Sequence, residues 1–405
     1  MIPLSVANIL HHRLRSALSA LGVAIGVCML VTLSGLARGS ISEIAGRWKG
    51  VQADLIVYPT RVGENVVTLS GAGLSAGQLK AVERLSLAGR PAVRRVVPVY
   101  INSAKIGSQS HNVSGVRPED LPALLGSGGA ARVVAGRLLG SQAGFERWLQ
   151  ERLASAGDEV IDVSPEELAR HGALEMVIDA RLARVARLKV GDPVHAANHT
   201  FTVVGIVPEG ALSRAFIPLV TAQFIFDRRL DWCTLAFVQL EHGVDAGAAA
   251  RALRAGNRLE ARGLDEYRGM LESTFSVMFV YVDAVNAVTL VVAFLFILVT
   301  LYMVVLQHIR EIAILKAMGA ARRYILGNIV GESLLLTGAG AGLGLALAPL
   351  AGWAIGLIRP LLTVTITWQW CATGAAVAVA GGVLAALYPA WYAMRIDVIE
   401  ALRAE

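Results

Sequence analysis

Cysteine is scarce in this 405-residue sequence: there are three, and Cys28 and Cys371 fall inside long apolar runs. Cys233 is then alone in the soluble stretch, which excludes an intramolecular disulfide framework there. Charge is scarce too, since Asp, Glu, Lys and Arg make up 17% of the chain against roughly a quarter in an ordinary soluble protein. The net excess of +6 is scattered through short loops and helix ends. No basic stripe interleaved with aromatics exists, and this argues against a nucleic-acid surface. A phosphate-binding loop of the form G-x-x-x-x-G-K-[ST] occurs nowhere, so any use of ATP falls to another chain.

What the sequence has in excess is apolar surface: 55% hydrophobic residues and a mean hydropathy of +0.57, more than a globular core needs. Four runs carry it: Ala17 to Ala37, Ala284 to Leu306, Ile325 to Ile358, and Trp370 to Trp391. Each is long enough to cross about 30 Å of hydrocarbon. The first follows His11, His12, Arg13 and Arg15, but it is longer than the apolar core of a cleaved signal peptide and reads as an anchor. Val27 before Cys28 argues against a lipidation site, which wants a small residue there.

Basic residues in short loops set the orientation. Arg13, Arg15, Arg310, Lys316, Arg322, Arg323, Arg395 and Arg403 fall on one side of four spans, and only Arg359 falls in the short loop opposite. The expectation is a multi-pass protein of the bacterial inner (plasma) membrane with both termini cytoplasmic. Its fold class is an α-helical membrane protein with four transmembrane helices plus an α+β extracytoplasmic domain inserted between helices 1 and 2.

Small residues recur four apart at Gly22 and Gly26, and at Gly338 and Gly342 within a run that also holds Gly340 and Gly344. Such spacing lets helices approach closely, either within the chain or between two copies. It is not a dinucleotide fingerprint, since no strand or acidic ribose partner frames it. Glu332, Asn286 and Asp283 are the polar residues nearest the bilayer; an ion relay and a plain interfacial position are both open to them.

In the soluble stretch, Asp54 to Tyr58, Val66 to Leu69 and Phe201 to Val207 read as strands. Leu188 to Asn198 reads as a turn and hairpin partner, and Ser75 to Leu85 as a helix whose capping box is Ser75 with Gln78. Gly73 to Gly77 matches the G-x-S-x-G elbow of hydrolases, but the strand ends too early and the cap accounts for Ser75. His195 and His199 are four apart without the glutamate of H-E-x-x-H, and an exposed hairpin fits them better than a metal site. Asn112 and Asn198 head glycosylation sequons by pattern only.

Arg310 to Arg323, REIAILKAMGAARR, closely resembles a signature of MacB/FtsX/LolC-type ABC transporter permeases, departing from it at Ala321. The ending YPAWYAMRIDVIEAL (Tyr388 to Leu402) is similar to the family tail, with Val398 in place of proline. Ala7 to Leu10 with His12 to Ser16, Gly115 to Glu119, Ala135 to Arg137, Leu188 to Asp192 and Val203 to Ile206 resemble further family phrases. Ser141 to Leu174 is longer than the family pattern.

The resemblance implies this division: 1–38, amphipathic helix and first span; 39–276, a MacB-like periplasmic domain; 277–306, second span with a stalk from Glu266 to Val282; 307–324, a cytoplasmic coupling helix; 325–358, third span; 359–369, outer loop; 370–392, fourth span; 393–405, tail. It implies that the coupling helix docks on an ABC ATP-binding subunit that holds the ATP and Mg. Glu311 and Lys316 would supply polar contacts and Ile312, Ile314 and Leu315 apolar ones, with Arg310, Met318, Gly319, Arg322 and Arg323 completing the segment. Without the resemblance, the same segment reads as an amphipathic turn resting on lipid headgroups. The chain itself is expected to bind no cofactor or metal, to be non-catalytic, and to pair with a second permease copy, identical or related. The work is mechanical, export or extraction of a substrate, with a periplasmic adaptor and outer-membrane channel in a two-membrane cell. The alternative is an FtsX-like regulator that relays ATP hydrolysis to a cell-wall hydrolase without transport. A membrane-anchored hydrolase using Ser75 is a third reading.

Overall fold

The computed structural model describes residues 13–60, 73–107, 109–125, 133–156, 163–210, 212–227, 230–257, 259–274, 276–307, 314, 316–318, 320–359 and 362–395. These divide into two compact units, Met1–Ile41 with Ser276–Glu405, and Ser42–Phe275. The expected strand at 66–69, residues 1–12 of the expected N-terminal amphipathic helix and residues 396–405 of the expected cytoplasmic tail lie outside the described residues, while 393–395 continue the fourth membrane helix.

The first unit holds four apolar helices long enough to span a membrane: Ser16–Ser40, Phe279–Val299, Arg323–Ile358 and Trp368–Tyr392. They are membrane helices because apolar side chains surround them rather than forming one stripe. Leu343, Leu350, Trp353 and Leu357 face outward on the third, while Val23, Val27, Ile297, Ile329 and Ala385 share a buried cluster. Two buried hydroxyls pair with backbone: Ser333 Oγ donates to Gly382 O at 2.7 Å, and Thr337 Oγ1 to Ser333 O at 2.8 Å. The loop before the fourth helix lies on the first. The Thr365 N–H donates to Gly35 O at 3.1 Å, and a Cβ on Gly39 would sit 2.3 Å from Thr363 O. Arg38 there stacks over Phe279 and Trp370, 5.2 and 4.7 Å from the ring centroids.

The second unit is built on a ten-stranded mixed sheet. Its path runs Leu259–Gly263, Leu55–Pro59, Leu235–Leu240, Val93–Ile106, Gln109–Val116, Ala215–Pro218, Glu175–Asp179, His199–Val207 and Ala135–Gly136, with Pro193–Ala196 paired to His199–Val207. Most pairs are antiparallel; Ala215–Pro218 runs parallel to Gln109–Val116, and His199–Val207 parallel to Glu175–Asp179. The run LIVYP is apolar throughout because both its faces are covered. Leu55 and Val57 pack in one cluster and Ile56 and Tyr58 in another, as the alternation of a strand requires.

Expected elements appear where the residues placed them. Ser75 caps the helix Ala76–Glu83 with Gln78 reciprocating. Pro193–Ala196 and His199–Val207 form the hairpin, with Ala197 and Asn198 at φ +47° and +62°, the left-handed pair that a two-residue turn of this twist demands. The expected stalk falls on two helices, Leu264–Thr274 and Ser276–Gln307. Ser141 to Leu174 contributes helices Ala143–Ala156 and Pro165–Arg170, whose Phe145, Leu149 and Leu168 join a core cluster with Met176 and Phe201.

Candidate functional site

Of the expected coupling segment, Arg310, Glu311, Ile312, Leu315 and Gly319 lie outside the described residues. Ile314 and Met318 are one helical turn apart, the Met318 N–H donating to Ile314 O at 3.0 Å, and both side chains are exposed, Met318 to 72%. Lys316 is turned inward to its own chain: its Nζ donates to Met394 O at 2.9 Å, at the end of the fourth membrane helix. A cation there complements the negative end of the helix dipole. Arg322 opens the helix Arg322–Ile358, and Arg323 beside it is exposed.

The close approaches made by the third membrane helix fall at Gly340 and Gly344. A Cβ there would stand 2.7 Å from Ala20 O and 2.6 Å from Ala24 O of the first helix. A Cβ on Gly338 or Gly342 would meet nothing within 4 Å. On the first helix Gly26 is buried and Gly22 half-buried. Within the chain, then, the packing register is offset by two residues from Gly338 and Gly342.

Asn286 is buried and donates to Ser34 Oγ at 3.1 Å; Glu332 is buried among the helices and Asp283 exposed. In the soluble unit, His195 Nδ1 contacts Thr200 Oγ1 at 2.9 Å and His199 Nδ1 contacts Ala197 O at 2.8 Å, both within the hairpin. Among the described residues no three His, Cys, Asp or Glu side chains cluster as metal ligands. Cys233 is buried, and burial pushes its thiol up to about 12, far from the thiolate that a nucleophile needs.

One constellation was not foreseen. Glu43, in the soluble unit's share of the helix Arg13–Lys49, accepts from Arg47 at 3.0 Å, Arg181 at 3.0 Å and Arg214 at 2.8 Å. Arg47 also faces Asp179 Oδ2 at 3.5 Å, and Asp179 Oδ1 caps the helix Ala180–Ala186 through the Leu182 N–H. The five side chains are at most 20% exposed. Among the described residues, three guanidiniums here face two carboxylates. Burial, and then Arg47, press the Arg214 guanidinium below its ordinary value, and burial with Arg214 keeps the neighbouring His111 imidazole less basic than usual. The arrangement ties the helix residues 43 and 47 to the ends of two sheet strands.

Two family models match the chain. A MacB-like periplasmic core domain covers residues 16–255, and an FtsX-like permease C-terminal domain covers residues 284–398. The macrolide export ATP-binding/permease protein MacB of Chlorobium phaeobacteroides is 26% identical over 98% of this chain and 60% of its own length. The pyoverdine export ATP-binding/permease protein PvdT of Pseudomonas syringae is 24% identical over 97% of this chain and 58% of its own. The chain thus spans about 60% of the length of these curated relatives. Among solved structures, the periplasmic region of MacB from Actinobacillus actinomycetemcomitans matches with a TM-score of 0.35 at 13% identity, over 56% of this chain and 95% of that one.

Proposed function

The chain belongs to the family of MacB/FtsX-like permeases, and we propose that it is the membrane subunit through which a separate ABC ATP-binding subunit drives movement of the soluble unit. Export or extraction of a substrate is the outcome of that movement. The soluble unit lies on the far side of the inner membrane and both termini lie in the cytoplasm, on the support of the basic residues in the short loops. Two copies, or one copy with a related permease, complete the complex, because four spans make few walls for a path. A periplasmic adaptor and outer-membrane channel extend it in a cell with two membranes. ATP and Mg belong to the partner; this chain contributes no catalytic group to their chemistry.

The observation that carries this reading is the segment between the second and third membrane helices. Ile314 and Met318 stand exposed one turn apart, between two spanning helices and ahead of Arg322 and Arg323. Apolar knobs flanked by charge are what a helix presents to a groove in a partner. Placing a photo-crosslinking residue at position 318, and separately at Val280 near the other end of the second span, tests it in native membranes. The expected result is capture of an ATP-binding subunit from position 318 alone. Capture of lipid only from both positions would sink the reading.

A further inference from the structure

Three membrane helices meet at a cation. Arg38 stands in the last turn of the span Ser16–Ser40, Phe279 opens the span Phe279–Val299, and Trp370 lies in the first turn of the span Trp368–Tyr392. The Arg38 guanidinium is exposed and rests over both rings, 5.2 Å from the Phe279 centroid and 4.7 Å from that of Trp370. Rings attract the cation without supplying the oxygen lone pairs that its five N–H donors accept as partners, so those donors stay available. Among the described residues Arg38 forms no ion pair. Span ends are where hydrocarbon gives way to headgroups, which puts this guanidinium at the level of lipid phosphates.

Deeper in the bundle the same three helices line a groove of about 350 Å³, with apolar residues and glycine throughout. Its near end is Val27, Leu290 and Val377, and its far end Val23, Ile297 and Leu384. At a rise of about 1.5 Å per residue, the two ends lie about 10–16 Å and about 21–27 Å along their helices from Arg38, Phe279 and Trp370. A lipid whose phosphate sits at the guanidinium runs its chains through that depth: a headgroup layer of about 6 Å and half of a core about 30 Å thick put the chain ends about 21 Å away. Gly381 opens one wall of the groove, and a Cβ there would meet nothing within 4 Å.

The geometry points to a phospholipid site, with the phosphate held by Arg38 and one acyl chain lying in the groove between the first, second and fourth membrane helices. Charge decides the occupant. A second copy of the chain could fill an apolar groove but has no use for a cation at its mouth, whereas a phospholipid carries an anion and a chain in one molecule at this separation. Arginine takes phosphate through paired N–H···O bonds, and the two rings hold the planar fork in place. The assignment goes beyond the coupling reading and does not rest on it, since it requires only that the helices span a membrane.

Full-length protein, stripped of lipid in mild detergent, would be titrated with dioleoylphosphatidylglycerol, dioleoylglycerol and inorganic phosphate, and the bound molecules counted by native mass spectrometry. The first phosphatidylglycerol is expected to bind about tenfold more tightly than dioleoylglycerol, and Arg38→Gln to erase that difference while dioleoylglycerol binds as before. Arg38→Lys, which keeps the charge and loses the fork, should fall between the two. Gly381→Leu, whose new Cβ meets nothing within 4 Å, should weaken both lipids about fivefold by filling the groove, with the helical circular dichroism unchanged. Equal binding of the two lipids by wild type overturns the proposal, as does binding indifferent to both Arg38→Gln and Gly381→Leu. If inorganic phosphate binds as tightly as the lipid, the site takes a free anion and the lipid assignment fails. It fails too if Gly381→Leu converts a dimer to single chains while lipid binding stays as in wild type, because the groove then holds a second copy.

Discussion

Replacing Glu43 with glutamine keeps the shape of the buried cluster and removes its central charge. Arg47, Arg181 and Arg214 would then share Asp179 as the remaining carboxylate of the constellation, in surroundings where their side chains are 10%, 19% and 14% exposed. Removing one partner of a buried ion pair costs about 3–5 kcal/mol, since the uncompensated charge stays buried. For a unit of this size each kcal/mol moves the midpoint by about 2–4 °C, so the melting temperature should fall by about 6–20 °C. Cys233 supplies the assay: it is buried and unreactive in the fold and is the soluble unit's own thiol. In a Cys28→Ala, Cys371→Ala background, a maleimide dye added to the full-length protein on heating reports unfolding of that unit. Adding Arg214→Gln should restore part of the loss, because it removes a guanidinium that Glu43 had held at 2.8 Å; the two changes are coupled, not additive. A shift under about 2 °C for Glu43→Gln, or strict additivity in the pair, would refute the reasoning.

Gly344→Ala should destabilise the membrane unit by about 1–3 kcal/mol, because the new Cβ meets the backbone of the first helix, whereas Gly342→Ala should not. Titration of each variant with a denaturing detergent compares them. Glu175 yields a pH prediction. Burial would raise its carboxyl, but Arg137 and the Gly140 N–H at 2.8 Å outweigh burial and hold it below the ordinary value. A depressed carboxyl stabilises the fold above its unfolded pKa of about 4.3 and loses that contribution as pH falls further, through the folded value. Thermal scans from pH 6 to pH 3 should therefore show a shallower acid limb in Glu175→Gln. Ala197→Gly should stabilise the hairpin by up to about 1 kcal/mol, since glycine takes the positive φ of +47° without the penalty alanine meets. Urea midpoints would show it.

The elements legible from sequence were those with local causes. Span length identified the membrane helices, Ser75 and Gln78 marked a helix start three residues apart, and an unbroken apolar run marked a strand covered on both faces. The Glu43 cluster has no local signature: Glu43 meets Arg181 and Arg214 across 138 and 171 residues. The helices of the long segment from Ser141 were not anticipated, although their signals were present. Phe145, Trp148, Leu149 and Leu153 recur at helical spacing, and Ser164 with Glu167 forms a second capping box, both patterns carried by the residues themselves. The glycine register was ambiguous because Gly338, Gly340, Gly342 and Gly344 offer two interleaved pairs, and only the position of Ala20 and Ala24 selects between them.

The central claim, that this chain passes ATP-driven work from a partner to its soluble unit, is tested most directly by purifying the tagged protein from its native membrane in mild detergent and measuring the ATP hydrolysis that comes with it. Wild type should bring down an ATP-binding subunit and its hydrolysis, and Glu311→Ala with Leu315→Ala should lose both while the chain itself remains folded. If wild type carries neither under several extraction conditions, or the double variant retains both, the coupling account is contradicted.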